Sequence, residues 1–511
     1  MMRIPNQLLN TFLLVLTVIA CVFATNSLRA QNDDAASWTV EKDLWYIMEM
    51  AGGKAGWMNS VTHRNGERIR TTTDTQLKIG RGDAQVEVAM TMSFEETADG
   101  KPVRLESRQK MATRATTSTY EFLPDKIVST STEGGKEMKK DLPLPTGEWL
   151  TPAATERFVN AERKAGKTEI TYRTISPDSG VQAIAVTTKR VGEETIDING
   201  KPTAVTVWKT KTDVIPIEVT EKIDADGTMV YQDMPMLGKV ITRLSTKEAA
   251  MGDGGGGGAG MNPEILRGTF ITPNKPIENS MKATTAMLKL TMKNGEPLSL
   301  PTAGAQRAEK GDAPGTMLLK ININDNVEAS QAEITDKAYT EASPIVDSTD
   351  ALVMKHAEKA VKKAGENVDT TAKAEALRAY VHKHINKKGM QTAFASASET
   401  INTREGDCSE HGVLLCAMLR AQGIPARVAT GLVYADAFDG HDSIFGWHMW
   451  TQALIDGKWV DFDATLPVRY NAAHVLTATS SLADGVSGTD MASIIPMLGN
   501  LDIEVVEVGY E

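Results

Sequence analysis

Acyl transfer by a thiol needs three side chains in one place. A cysteine attacks as the thiolate, an imidazole takes and returns the proton, and a carboxylate fixes the imidazole's tautomer. Cys408, His448 and Asp463 are of these types, and their surroundings can bring them together. Asp407 can cap a helix that begins at Cys408. Val413, Leu414, Ala417 and Met418 give that helix an apolar face, Arg420 suits its last turn, Gly423 its left-handed cap and Pro425 its stop. Cys408 then lies in the first turn, where the helix dipole favours a thiolate and backbone N–H groups can hold an oxyanion. Cys416, two turns deeper among Leu415, Ala417 and Leu419, reads as a buried, inert thiol. At 1.5 Å per residue the two Cα atoms are about 12 Å apart, too far for a disulfide.

The base and the orienting acid fall on one hairpin. Trp447 to Ile455 reads as a strand, Asp456-Gly457 as a two-residue turn, and Lys458 to Thr465 as the return strand. With Ile455 opposite Lys458, Trp450 faces Asp463 and His448 faces Thr465. His448 and Asp463 are then diagonal neighbours on one face. Met449, Ala453, Ile455, Val460 and Phe462 take the other face. Asp461 shares the face of Asp463 but sits one pair further from His448, so Asp463 is the better orienting acid.

The remaining candidates carry less. His411, three residues after Cys408, could serve as an alternative base but reads as packing. His441 lies with Asp436, Asp439 and Asp442 in the loop before the hairpin, at a spacing that is not an EF-hand loop. His382 and His384, two apart on a helix, face different sides and make a poor metal pair. His474 reads as structural. With eight scattered histidines and no Cys-x-x-Cys, neither a metal nor a cofactor is expected.

Residues 404–466 resemble the core of the transglutaminase-like superfamily of papain-type cysteine enzymes, in particular its bacterial exported members. The likeness rests on Gly406-Asp407-Cys408, Leu419-Arg420 through Gly423-Ile424-Pro425-Ala426-Arg427, His448-x-Trp450, Trp459 and Asp463-x-Thr465, and extends over roughly 340–480. It implies Cys408 as nucleophile, His448 as base and acid, and Asp463 as its orienter. It also implies a thioester intermediate formed from a peptide or protein amide. Water or an amine can then take the acyl group, and an exported member is expected to hydrolyse cell-envelope or extracellular peptides. The competing expectation is an inactive transglutaminase-like binding or scaffold protein of the cell envelope. Gln452 is a departure: many members carry Glu after His-x-Trp, and we read the change as one beside the triad rather than its loss.

Further out, 55 Lys+Arg against 66 Asp+Glu give a net charge of −11, so no basic surplus exists to replace nucleic-acid counterions. Aromatics at 5% argue against base-stacking platforms, while 41% hydrophobic residues suffice for real cores. Residues 1–30 read as a signal peptide, with Arg3, an apolar run from Leu8 to Ala24, and small residues after it. The mature chain is expected to be periplasmic or secreted, without a transmembrane span. Cys21 sits in a weak lipobox, and a lipid anchor there is the less favoured reading. Only Cys408 and Cys416 then remain, and free thiols in an oxidising compartment imply that one is used.

The fold expected is α+β. Residues 31–247 form a large antiparallel β-meander domain: residues 85–95 alternate in polarity, and Asp99-Gly100 and Asn199-Gly200 mark turns. Residues 248–262 are a Gly-rich linker, 263–335 a small β module, and 336–511 the transglutaminase-like, papain-like core of helices and antiparallel sheet. There Ser348 and Asp369 are candidate caps for two helices closed by Gly365 and Gly389.

Overall fold

The computed structural model describes residues 38–510 apart from 82–83, 112–113, 134–135, 177–180, 215–216, 237–238, 253–266, 366–367, 390–394 and 484–493. The signal peptide at 1–30, Cys21 and most of the Gly-rich linker lie outside the described residues. The chain divides into two compact units, one within Val15–Gly268 and one over Thr269–Glu511.

The first unit is a fourteen-stranded antiparallel sheet. Its centre is the pairing of Thr39–Met50 with Val240–Ser245, Trp45 lying opposite Ser245. From that seam one meander runs out to Lys136–Leu142 and another back to Glu169–Ser176. Alternation sets the faces: in Ala84–Thr97, Val88, Met90, Met92 and Phe94 are buried. At Asn199-Gly200 both residues have positive φ, 53° and 81°, as a type I′ hairpin turn requires. Between the two edge strands the chain forms the helix Pro152–Lys164. Buried Glu96 caps it, accepting from the backbone N–H of Ala153 at 2.9 Å and Ala154 at 3.2 Å.

The second unit holds two four-stranded antiparallel sheets and a set of helices. One sheet runs in the order Gln306–Lys310, Thr316–Asn322, Ala283–Met292, Leu501–Tyr510. The three strands of the 263–335 stretch pair with one another, and Leu501–Tyr510 adds a fourth at the edge, with Leu501, Ile503 and Val505 buried on alternate positions. The other sheet runs Lys458–Phe462, His441–Ile455, Ala426–Phe438, His474–Ser480. The helix Cys408–Ala421, buried along almost its whole length, packs on the long His441–Ile455 strand. Trp447, Trp450 and Trp459 of this sheet are fully buried, and truncating such an indole to Ala costs about 3–5 kcal/mol.

Two helix boundaries differ from expectation. The first C-terminal helix is Ala351–Ala364, and its cap is Asp350, whose Oδ1 accepts from Leu352 N–H at 2.9 Å; Ser348 instead lies buried before it. The second, capped by Asp369 as its spacing indicates, is Thr370–His384 and ends at Ile385 rather than Gly389. A run of basic residues gave no signal for that earlier stop.

Candidate active site

The segment before Cys408 is built to start a helix tightly. Asp407 Oδ1 accepts from Ser409 N–H at 3.0 Å, and Glu410 Oε2 accepts from Asp407 N–H at 2.9 Å, a reciprocal capping box. Glu410 Oε1 also accepts from Ala395 N–H at 3.0 Å, which ties the helix start to the preceding loop. Gly406 has φ 154°, and a Cβ there would run into the Glu410 side chain, so the Glu410 stem can fold back only over a glycine. Cys408 is therefore the first residue of the helix, fully buried.

The hairpin pairs as the two-residue turn dictates. Ile455 faces Lys458, Gln452 faces Asp461 and Thr451 faces Phe462, with positive φ at both Asp456 and Gly457. Just past the paired residues, Asp463 reaches back diagonally, and His448 Nε2–H donates to its Oδ2 at 2.8 Å. Asp463 Oδ1 accepts from Thr465 N–H at 2.7 Å. The other ring nitrogen, Nδ1 of His448, is buried without a hydrogen-bond partner, and the Cys408 thiol acts on the imidazole through its charge. The three residues named from the sequence are thus brought together. Burial opposes charge on the His448 ring, but the charge and hydrogen bond of Asp463, with Cys408 beside it, outweigh that and push its pKa up to about 10. Burial likewise opposes ionisation of Asp463, yet His448 and His474 hold its carboxyl well below the usual carboxylate range.

His474 is the residue that sequence reasoning missed. It stands at the start of the strand His474–Ser480, and its Nε2 lies 3.2 Å from the same Oδ2 of Asp463. Its Nδ1–H donates to Asn471 O at 3.0 Å, and Tyr470 packs on its ring with centroids 4.3 Å apart. His448, Asp463 and His474 form the grouping among the described residues that could hold a metal ion. Both imidazoles already sit at hydrogen-bond distance on one carboxylate oxygen, so the arrangement is complete as a hydrogen-bonded relay.

Asp461 belongs to a separate network. Its Oδ1 accepts from Trp450 Nε1–H at 2.7 Å and Gln452 Nε2–H at 2.8 Å, and its Oδ2 from Ala305 N–H at 2.9 Å. Gln452 Oε1 in turn accepts from Arg427 Nε–H at 2.9 Å. Arg427 lies over the Trp459 ring and pairs with Glu333 at 2.6 Å. The departure at Gln452 thus has a local reason: its amide presents an acceptor to a guanidinium and a donor to a carboxylate.

Other candidates fall where they do no chemistry. His411 is fully buried, its Nδ1–H bonded to Asp407 O, and burial pushes its pKa down to about 3. His382 and His384 point apart, onto Ala464 O and Ile401 O at 3.0 Å each. His441 packs edge-on to Phe270. Burial pushes the Cys416 thiol up, against Arg420. Cys408, His448, Asp463 and His474 are each at most 1% exposed.

Residues 357–464 match the family described as the transglutaminase-like superfamily. No curated protein matches the chain. Among solved structures, a candidate cysteine protease from Cytophaga hutchinsonii is similar at 19% identity and TM-score 0.26, over 45% of this chain and 86% of that one. A candidate protease from Parabacteroides distasonis is similar at 12% identity and TM-score 0.19, over 75% and 68%. The family match lies within the C-terminal unit, and at the level of the family it supports a cysteine-dependent enzyme. Among the described residues, no helix is long and apolar enough to cross a membrane.

Proposed function

We propose that the chain is an exported cysteine-dependent acyl-transfer enzyme that acts on peptide or protein amide bonds of the cell envelope or its surroundings. The observation that carries this reading is the join of the hairpin to the helix start. Asp463 holds His448 by Nε2, which leaves Nδ1 for the thiol of Cys408 at the positive end of its helix. The Cys408 sulfur attacks the amide carbonyl carbon, and the oxyanion that forms is held by the first backbone N–H groups of the helix. His448 gives its Nδ1 proton to the leaving amine as the C–N bond breaks, which leaves a thioester. Water then attacks the thioester and His448 takes its proton; the C–S bond breaks, the carboxylic product leaves, and Cys408 returns to the thiolate beside the protonated imidazole. An amine in place of water would give a cross-link; hydrolysis is the favoured outcome.

The burial of all three groups favours a second reading, an inactive transglutaminase-like scaffold, since acyl transfer requires the thiol to be uncovered. A peptide library incubated with the chain or with Cys408→Ala, with and without an added amine, and read by mass spectrometry decides between them. Cys408-dependent cleavage supports the enzyme and the hydrolytic branch, and amine adducts transfer the reading to cross-linking. No Cys408-dependent product under any condition leaves the scaffold. Export and the anchor are tested by fractionation: processing within residues 1–30 supports export, and loss of membrane association in Cys21→Ser would support the lipid anchor.

A further inference from the structure

His474 makes two contacts that constrain its protons. Nδ1 faces Asn471 O, a carbonyl that can only accept, so Nδ1 carries a hydrogen. Nε2 faces Asp463 Oδ2 at 3.2 Å, the oxygen that already accepts from His448 Nε2–H. With Asp463 ionised, Nε2 must also carry a hydrogen. Among the described residues, His448 lies 5.8 Å from the ring between centroids, Asp461 acts on it through its charge and Tyr470 packs on it, while Asp463 is also reached by Arg378, which donates to its backbone O at 3.3 Å, and by the charges of His382 and Lys388. Asp461 is engaged by Trp450, Gln452 and Ala305 and donates nothing to His474. His448, Asp461, Asp463 and His474 are buried and Tyr470 partly so, and there an uncompensated charge is costly.

We propose that His474 is a positioning residue for acyl transfer, a doubly protonated imidazole that fixes the Asp463 carboxylate against His448 and neutralises it. With His474 charged, the set Cys408, His448, Asp463 and His474 is neutral whether the thiol or His448 holds their shared proton. Without that charge the same set carries −1. The inference rests on the acyl-transfer reading above. It adds a fourth group to the site, one that touches neither the substrate nor the sulfur and acts through Asp463.

Three forms of the full chain test it: wild type, His474→Leu and His474→Gln. The Gln amide can donate to Asp463 from near the place of Nε2 but carries no charge. Thiolate formation is followed by ultraviolet absorbance against pH, as the difference from Cys408→Ala in each background. Turnover is measured on whichever library peptide the wild type cleaves. The expected result for His474→Leu is a thiolate midpoint raised by about one pH unit. Its kcat should fall by roughly tenfold to a hundredfold with little change in KM. His474→Gln should regain part of kcat while its thiolate midpoint stays raised. In the wild type, nitrogen-15 spectra should show both His474 ring nitrogens protonated at neutral pH.

A bare ring nitrogen on His474 overturns the proposal, as does a wild-type midpoint and kcat in both variants. Variants that lose only thermal stability, with both readouts unchanged, also overturn it and leave His474 as packing. A wild-type Cys408 that titrates like an ordinary thiol and transfers no acyl group overturns the acyl-transfer reading instead. The nitrogen-15 result then still decides the protonation of His474.

Discussion

The indole N–H of Trp450 points at Asp461, donating to Oδ1 at 2.7 Å, while Asp463, two residues on, accepts from His448 Nε2–H at 2.8 Å. The two aspartates, one in the return strand and one just past its end, therefore divide the work: Asp461 organises the hairpin's core, and Asp463 holds the imidazole. Asp463→Asn should leave a folded chain whose kcat falls by roughly 10³–10⁴-fold, because an amide favours the wrong imidazole tautomer. Asp461→Asn places one N–H against a donor and should cost about 1–3 kcal/mol of stability with kcat within a few-fold. Circular dichroism melts beside turnover on both variants check the division. An Asp461→Asn loss as deep as that of Asp463→Asn would contradict it.

The two thiols should separate in the same way. Cys408 opens its helix and acts on His448, whereas Cys416 is buried deeper, its thiol pushed up by desolvation. Cys408→Ala should abolish product formation and leave the fold intact. Cys416→Ala should lower stability by about 1 kcal/mol and keep turnover. Specific activity of the well-folded fraction of each variant is the measurement; equal losses would argue against the asymmetry.

At position 452 this chain carries Gln where the resemblance leads one to expect Glu, and Arg427 and Asp461 give the amide a local reason. A Glu there would keep the contact to Arg427 but set a second carboxylate where the amide now lies 2.8 Å from Asp461 Oδ1. Like charges at that distance raise one pKa or repel. Gln452→Glu should therefore destabilise the unit by about 2 kcal/mol near neutral pH, and Asp461→Asn in that background should recover part of the loss. A double-mutant cycle in urea measures the coupling. Strict additivity of the two substitutions would mean the carboxylates do not meet.

His448 and Asp463 also set a pH window. The folded His448 pKa is raised from 6.5 to about 10, so its contribution to stability is complete below about 6.5 and is lost as pH rises through about 10. Asp463 is depressed below 3.8, so its contribution is present above that value and is lost as pH falls through the depressed one. The stability difference between wild type and His448→Phe should be largest below about pH 6.5 and shrink toward pH 10. Urea denaturation of both chains across that range checks it; a difference that grows with alkalinity has the wrong sign.

Much of this site is legible in the chain because it rests on local rules. A two-residue Asp-Gly turn leaves one register for the hairpin, and that register sends Asp463 toward His448. Gly406-Asp407 ahead of an apolar helix face places Cys408 at the helix start. His474 was not legible, because it arrives on a strand that pairs with Ala426–Phe438, Val433 opposite His474, and no short-range pattern specifies that non-consecutive pairing. The same holds for Leu501–Tyr510, whose partner Ala283–Met292 is remote in sequence. The burial of the thiol is likewise a product of packing by several elements, and no single segment announces it.

The pairing of Leu501–Tyr510 with Ala283–Met292 also sets an order of events during synthesis. A growing chain presents Cys408, His448 and Asp463 before residues 501–510 exist to complete the small sheet. The fourteen-stranded sheet has the same habit, its central seam joining residues near 45 to residues near 245. Contacts so far apart along the chain make folding slow, since loop closure must be met before any of them forms. The strand that completes each sheet is therefore made late, and a chain that ends before residue 501 carries Cys408, His448 and Asp463 without the edge strand of the small sheet.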